Sequence, residues 1–162
     1  GLKNRAAPLA DKTEFFIGHP FMSDELFDDL SPKSRESLAS ITRTRQFEKG
    51  ASLVKKGETP DEVLVIVSGR ARFVFGSETE SKLLTRTAAA GEMLGLTEMI
   101  SEMPAEISVE VLSPVVCKVV SRPDFTRFLL AAPEICFRLL RLLGANLQKS
   151  RREFCDLRHK NE

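Results

Sequence analysis

Apolar and polar residues change period twice along the chain. Residues 1–14 mix charge, Pro and Ala without a sustained period and read as a loose arm. Ser23 is followed by Asp24, Glu25, Leu26, Phe27 and Leu30, an N-cap and a short apolar face that predict one or two helical turns. Ser31-Pro32 predicts a second short helix, with Ser at the cap, Pro at the first helical position, and Leu38 and Ile41 toward one side. From Thr42 the period becomes that of strands: TRTRQFEKG, ASLVKKG, EVLVIVSG, RARFVFG, KLLTRTAAAG, EISVEVLSP and VVCKVVSRP are each closed by Gly, Pro or Ser. Such short β-rich pieces predict an antiparallel sandwich or barrel of about eight strands. Alternation is plain in Arg70–Phe75, where Ala71, Phe73 and Phe75 share a side that excludes Arg70 and Arg72.

The last quarter returns to a helical period. Pro123-Asp124-Phe125 opens a helix that Pro133 interrupts, and from Glu134 to about Leu157 only Gly144 and Asn146 disfavour helix. Cys136, Leu140, Leu143, Leu147, Ser150, Phe154 and Leu157 are spaced alternately four and three apart, the heptad interval of a coiled coil. A second apolar set, Ile135, Leu139 and Leu142, flanks this seam only in the first half. One reading lays the whole helix on its own β-body. The other packs the first half there and pairs the second half, flanked by Lys149, Arg151, Arg152 and Arg158, with another chain; the narrow stripe favours the pairing.

Length and composition narrow the function classes. A chain of 162 residues with 42% hydrophobic content suits one domain with an appendage and a real core. Its net charge of +1 exerts no global pull on nucleic acid or anionic membrane. Cys117, Cys136 and Cys155 form no CxxC and have only His19 and His159 for company, which argues against zinc and iron–sulfur sites. The odd cysteine count and the missing signal peptide fit a cytoplasmic protein, and no apolar run is long enough to span a bilayer. With no Trp or Tyr, and the eleven Phe mostly in apolar patterns, a base-stacking surface is not expected. No Ser/His/acid set, His pair or GxxxxGK appears, so the chain does not read as an enzyme.

Phe47, Lys49-Gly50, Leu53, Gly57, Ser68-Gly69, Gly91-Glu92, Leu94-Gly95, Ser108 and the SRPDF of Ser121–Phe125 occur in an order that resembles the cyclic-nucleotide-binding fold, specifically the effector domain of CRP/FNR-type bacterial transcription regulators. The resemblance implies an α+β chain: short N-terminal helices, a β-roll (double-stranded β-helix or jelly roll) and a long C-terminal dimerisation helix. It divides the chain into an arm (1–14), helices plus roll (15–122) and C-terminal helices (123–162). It also implies a homodimer that responds to a small effector and reaches DNA only through a helix-turn-helix domain, which these residues do not contain. The expectation is the sensor half of a regulator; the alternatives are a stand-alone module that only mediates assembly and a genuine cyclic-AMP or cyclic-GMP domain.

The candidate cradle comprises Gly91, Glu92, Met93, Leu94, Ala105 and Ser108. In relatives that bind cyclic nucleotides, the resemblance implies, a Gly-Glu pair holds the ribose and an Arg-Ala-Ala or Arg-Ser-Ala segment holds the phosphate. Glu92 matches the first; Ala105, following Pro104, stands where the arginine would fall. Between Arg86 and Lys118 there is no basic residue, while Glu92, Glu98, Glu102, Glu106 and Glu110 are present. A charge-assisted bond to a buried phosphate is worth about 1.5–3 kcal/mol, so cyclic nucleotide is disfavoured as a ligand, unless Arg70, Arg72 or Arg86 reaches in from a neighbouring strand. Met93, Leu96, Met99 and Met103 leave two readings open: a soft pocket for a small neutral or cationic ligand, or a plain barrel mouth with Glu92 capping free amides. No resident cofactor is expected: haem would want a His near the cradle, and an N-terminal cysteine cluster is absent. Redox pairing of Cys136 or Cys155 across a two-fold axis competes with their being ordinary small hydrophobes.

Overall fold

The computed structural model describes residues 20–75 and 84–160, with Leu84, Leu157 and Lys160 described by backbone alone; the expected arm falls outside them. In chain order the elements are α1 (Ser23–Phe27), α2 (Pro32–Ile41), β1 (Arg43–Phe47), β2 (Ser52–Val54), β3 (Glu62–Phe75), β4 (Leu84–Thr87), β5 (Met93–Leu94), α3 (Leu96–Ser101), β6 (Ser108–Ser121), α4 (Arg122–Ala131) and α5 (Pro133–Lys160). The strands form one antiparallel sheet in the order β1-β6-β3-β4, with β2 added to β6 and β5 to β3. It is a jelly roll with a C-terminal helix, as the glycine-punctuated pattern and the resemblance implied, and not a closed barrel.

Among the described residues six strands appear, fewer than the punctuation suggests. EVLVIVSG and RARFVFG are one strand, β3, and EISVEVLSP and VVCKVVSRP are likewise one strand, β6. Gly69 and Pro114 mark a bend in this long pair, not an end. Gly69 has φ +95°, and a Cβ there would lie 2.2 Å from the Pro114 carbonyl oxygen, so the two backbones approach as only glycine allows. The register slips at Ser68 and Arg70, and these bulges carry the same two strands onward around the roll.

Alternation then sorts side chains into two cores. Leu64, Ile66, Ala71, Phe73, Val109, Val115, Cys117 and Val119 fill the inside of the roll. Val63, Val120 and Met93 face outward and meet Leu26, Phe125, Phe128, Ile135 and Leu139 from the helices. Phe27 stands edge-on to Phe125 with ring centroids 6.3 Å apart.

The helix signals hold with one correction. Ser31 caps α2 by accepting the Ser34 N–H at 3.1 Å, and Ser121 caps α4 by accepting the Asp124 N–H at 3.3 Å. Ser23, expected as the cap of α1, is its first helical residue; Met22 holds the cap position without a side-chain bond, and the Ser23 N–H donates to the Gly91 carbonyl at 2.9 Å. At the other end of α1, Arg138 of α5 donates to the carbonyls of Leu26 and Asp28 and fastens the long helix to the N-terminal one.

Helix α5 is amphipathic along its length but covered over only part of it. Ile135 and Leu139 are buried and Leu142 and Leu143 pack against the outer core, while beyond Leu143 no described residue of the helix is buried. Leu140, Leu147 and Phe154, seven residues apart, are 61%, 52% and 49% exposed. The helix therefore does not lie on its own roll throughout.

Candidate functional site

The cradle is built where β4, the turn after it and β5 cross β3. Arg86 of β4 lies opposite Phe73 of β3, and Met93 and Leu94 of β5 lie opposite Val65 and Leu64. The turn is tied down by its backbone: the Gly91 N–H donates to Ile66 at 2.7 Å, the Ile66 N–H to Glu92 at 3.1 Å and the Ala88 N–H to Ala71 at 2.9 Å. The N-terminal segment clasps it from outside through the Met93 N–H on the Phe21 carbonyl at 2.7 Å. Gly95 then starts α3 with φ +81°; a Cβ there would sit 2.9 Å from the Glu62 carbonyl oxygen, which explains a glycine at that point.

Glu92 is 2% exposed and is the one buried charged residue among the described residues. Its carboxylate is met on both oxygens by Arg86: Nη1 donates to Oε1 at 3.1 Å and Nη2 to Oε2 at 2.9 Å. The Ala89 N–H adds a third bond to Oε1 at 3.0 Å. The guanidinium carbon lies 4.0 Å from the centroid of the Phe73 ring, so one face of the cation is covered as well. A bidentate, desolvated pair is the arrangement that makes burying a carboxylate tolerable.

The structure thus corrects the charge reading of the cradle. It is not bordered by acids alone: of the three arginines that could reach in, Arg86 does. Arg72 pairs with Glu110 on the half-exposed side at 3.2 Å, and Arg70 is exposed, with its backbone N–H on Ser113 Oγ at 3.1 Å. Both lie on the outward side that alternation assigns them. Arg86 carried no comparable signal, because its six-residue distance from Glu92 becomes a contact only through the turn between β4 and β5.

The remaining candidates separate. Glu92, Met93 and Leu94 line a cavity of about 100 Å³ together with Arg86, Phe73 and Thr97. Gly91 lies behind it in the backbone bonds just described. Ala105 is buried in the inner core, with its N–H on the Glu58 carbonyl at 2.9 Å and its own carbonyl accepting from Gly57 at 2.8 Å. Ser108 turns the other way and accepts the Lys56 N–H on its hydroxyl at 3.1 Å. The cavity is well below the 300 Å³ or so at which small-molecule sites begin. Within it, Arg86 Nε is buried without a hydrogen-bond partner among the described residues.

Of the seam residues, Leu140, Leu147 and Phe154 are exposed, Cys136, Leu143 and Ser150 are half-buried, and the side chain of Leu157 lies outside the description. No helix among the described residues is long and apolar enough to cross a membrane.

Comparison with known proteins gives this geometry a family. The family model "Cyclic nucleotide-binding domain" matches residues 44–131, more than half of the chain. The "Probable transcriptional regulator flp" of Lacticaseibacillus casei is 26% identical over 115 residues, 71% of this chain and 52% of the relative. The "CRP-like cAMP-activated global transcriptional regulator" of Mycobacterium tuberculosis is 21% identical over 132 residues, 82% of this chain and 59% of the relative. The chain therefore spans somewhat more than half the length of these curated regulators. Among solved structures, the Thermus thermophilus catabolite activator protein superposes with a TM-score of 0.72 at 19% identity, over 82% of this chain and 62% of that one. Jelly roll and cradle turn agree with the match over residues 44–131: the chain belongs to the cyclic nucleotide-binding domain family and has CRP-like transcription regulators among its relatives.

Proposed function

We propose that this chain is the effector-sensing and dimerisation domain of a cytoplasmic CRP/FNR-type transcription regulator whose cradle does not bind cyclic nucleotide tightly. The observation that carries this reading is the Arg86–Glu92 pair. The cation that would greet a phosphate and the carboxylate that would greet a ribose already satisfy each other, at 2.9 and 3.1 Å, beside a cavity of about 100 Å³. A nucleotide would have to open that cavity and break a desolvated pair before gaining any contact of its own. With Ala105 in the core, no second cation stands at the position following Pro104.

The dimer reading is supported by α5. Exposed Leu140, Leu147 and Phe154 recur at the heptad interval on a helix whose first half alone is covered. Pairing this stripe with its copy removes it from water and couples two rolls through one helix pair. An effector acts on such an assembly if it binds one arrangement of the pair better than the other. Asn146 and Ser150 interrupt the stripe and weaken any single register.

One observation favours the alternative of a genuine cyclic-nucleotide domain: Arg86 is a cation in the cradle, with Nε unpartnered among the described residues. Calorimetric titration of the chain with cyclic AMP and cyclic GMP decides between the two. Our reading expects no saturable heat, whereas a dissociation constant of about 10 μM or tighter would overturn it. Glu92→Gln sharpens the contrast, because releasing Arg86 from its carboxylate should raise cyclic-AMP affinity only if Arg86 is the phosphate ligand.

A further inference from the structure

A second pocket, of about 410 Å³, lies against the outer face of β3 and β6. Its floor is Val63, Val65 and Val120; Phe27 and Leu38 of the N-terminal helices and Phe125 of α4 form its walls. The volume falls within the range of about 300–1,000 Å³ typical of small-molecule sites. In the middle of the valines stands Lys118. It lies opposite Val65 of β3 on one side and Thr44 of β1 on the other, and shares its face of the strand with Val120. A valine at that position would complete the apolar surface.

The side chains of Lys118 and of Arg35 on the same pocket are both exposed. Elsewhere on this surface Arg43 and Arg45 pair with Glu62, Arg72 with Glu110 and Arg122 with Glu102. Lys118, and Arg35 on the opposite wall of the pocket, make no ion pair among the described residues. Asp24 and Asp28 also line the pocket, so each negative charge on a ligand is opposed and a dianion is opposed more than a monoanion.

We propose that this pocket binds a monocarboxylate with an apolar tail, its head group on Lys118 and Arg35 and its tail over the valine floor. Phosphates and dicarboxylates are selected against by the two aspartates. Met93 lines both this pocket and the cradle cavity, and Phe125 of α4 shares the outer core with Ile135 and Leu139 of α5, so an occupant touches the elements that would report on it. The proposal stands or falls independently of whether the cradle takes a nucleotide.

The chain has neither Trp nor Tyr, so Phe27→Trp places a single fluorophore in the pocket wall. Titration with octanoate should give a saturable fluorescence change, and octanol, the same tail without the charge, should bind about tenfold or more weakly. Adding Lys118→Met should weaken octanoate by about tenfold or more, whereas Lys118→Arg should retain it. Thermal melting of the unaltered chain and of Lys118→Met alone, with and without octanoate, reads the same result without the fluorophore: octanoate should raise the melting temperature of the first and not of the second. The proposal is overturned if octanoate gives no saturable response and no melting shift, if octanol binds as well as octanoate, or if Lys118→Met leaves octanoate affinity unchanged.

Discussion

Replacing Arg86 by Ala tests whether the cradle is as closed and dry as its geometry implies. The two side chains are 13% and 3% exposed, so solvent screens their attraction little. Truncating the arginine leaves the Glu92 carboxylate with one described donor, the Ala89 N–H, and uncovers the face of Phe73. Breaking a buried pair from one side costs about 3–5 kcal/mol, and the lost ring contact falls within that range because the same truncation removes both. A domain of this size is stable by about 5–15 kcal/mol, so the loss is a large fraction of the total. It should lower the melting temperature by about 6–20 °C. Urea unfolding followed by far-ultraviolet circular dichroism reads the free energy directly, the chain having no Trp to follow. The double change Arg86→Met with Glu92→Leu removes both charges and should return to within about 1.5 kcal/mol of the parent; measured beside the single changes Arg86→Met and Glu92→Leu, it should give a coupling energy above about 2 kcal/mol. If Arg86→Ala costs less than about 1 kcal/mol, the carboxylate has found water, and the argument that a nucleotide must displace a desolvated pair fails.

Other parts of the structure make equally definite statements. Gly69→Ala drives a methyl into the Pro114 carbonyl and should cost at least about 3 kcal/mol in urea unfolding. Gly50→Ala, at φ +91° with open space around it, should cost only about 1–2 kcal/mol. The Cys117 thiol is pushed up to about 11 by burial, so at neutral pH it should react with an aromatic disulfide only in step with global unfolding, while exposed Cys155 reacts at once; rapid labelling of Cys117 would contradict the inner core. Leu140→Lys with Leu147→Lys should convert a dimer to monomer in sedimentation without lowering the monomer's unfolding free energy by more than about 0.5 kcal/mol, since both side chains are exposed within the chain; a monomeric parent would remove the dimer reading.

Much of the architecture is legible along the chain because it rests on short-range rules. Ser31-Pro32 and Ser121 with Pro123 start helices through a hydroxyl and a fixed φ, needs met within one turn of backbone. Ala71 and Phe73 go inward because successive strand residues alternate, whatever lies across the sheet. The seven-residue repeat of Leu140, Leu147 and Phe154 on α5 marks an exposed stripe for the same reason of fixed period, although Leu143 of the same seam packs on the outer core.

Only the tertiary structure decides what depends on which strands are neighbours. Punctuation at Gly69 and Pro114 reads as strand ends, yet the two residues lie against each other and let β3 and β6 bend together. Glu92 reads either as a ligand-facing acid or as a cap for free amides; pairing of β4 and β5 with β3 turns Arg86 onto it and buries the pair. Ala105 reads as the vacant seat of a phosphate-binding arginine; only the fold adds that its backbone bonds the Gly57–Glu58 turn and that its methyl lies in the inner core. Period and capping specify a side chain's direction relative to its own backbone. Whether that direction ends in a cavity, in a counter-ion or in water is set by residues distant in sequence, through contacts that no local pattern encodes.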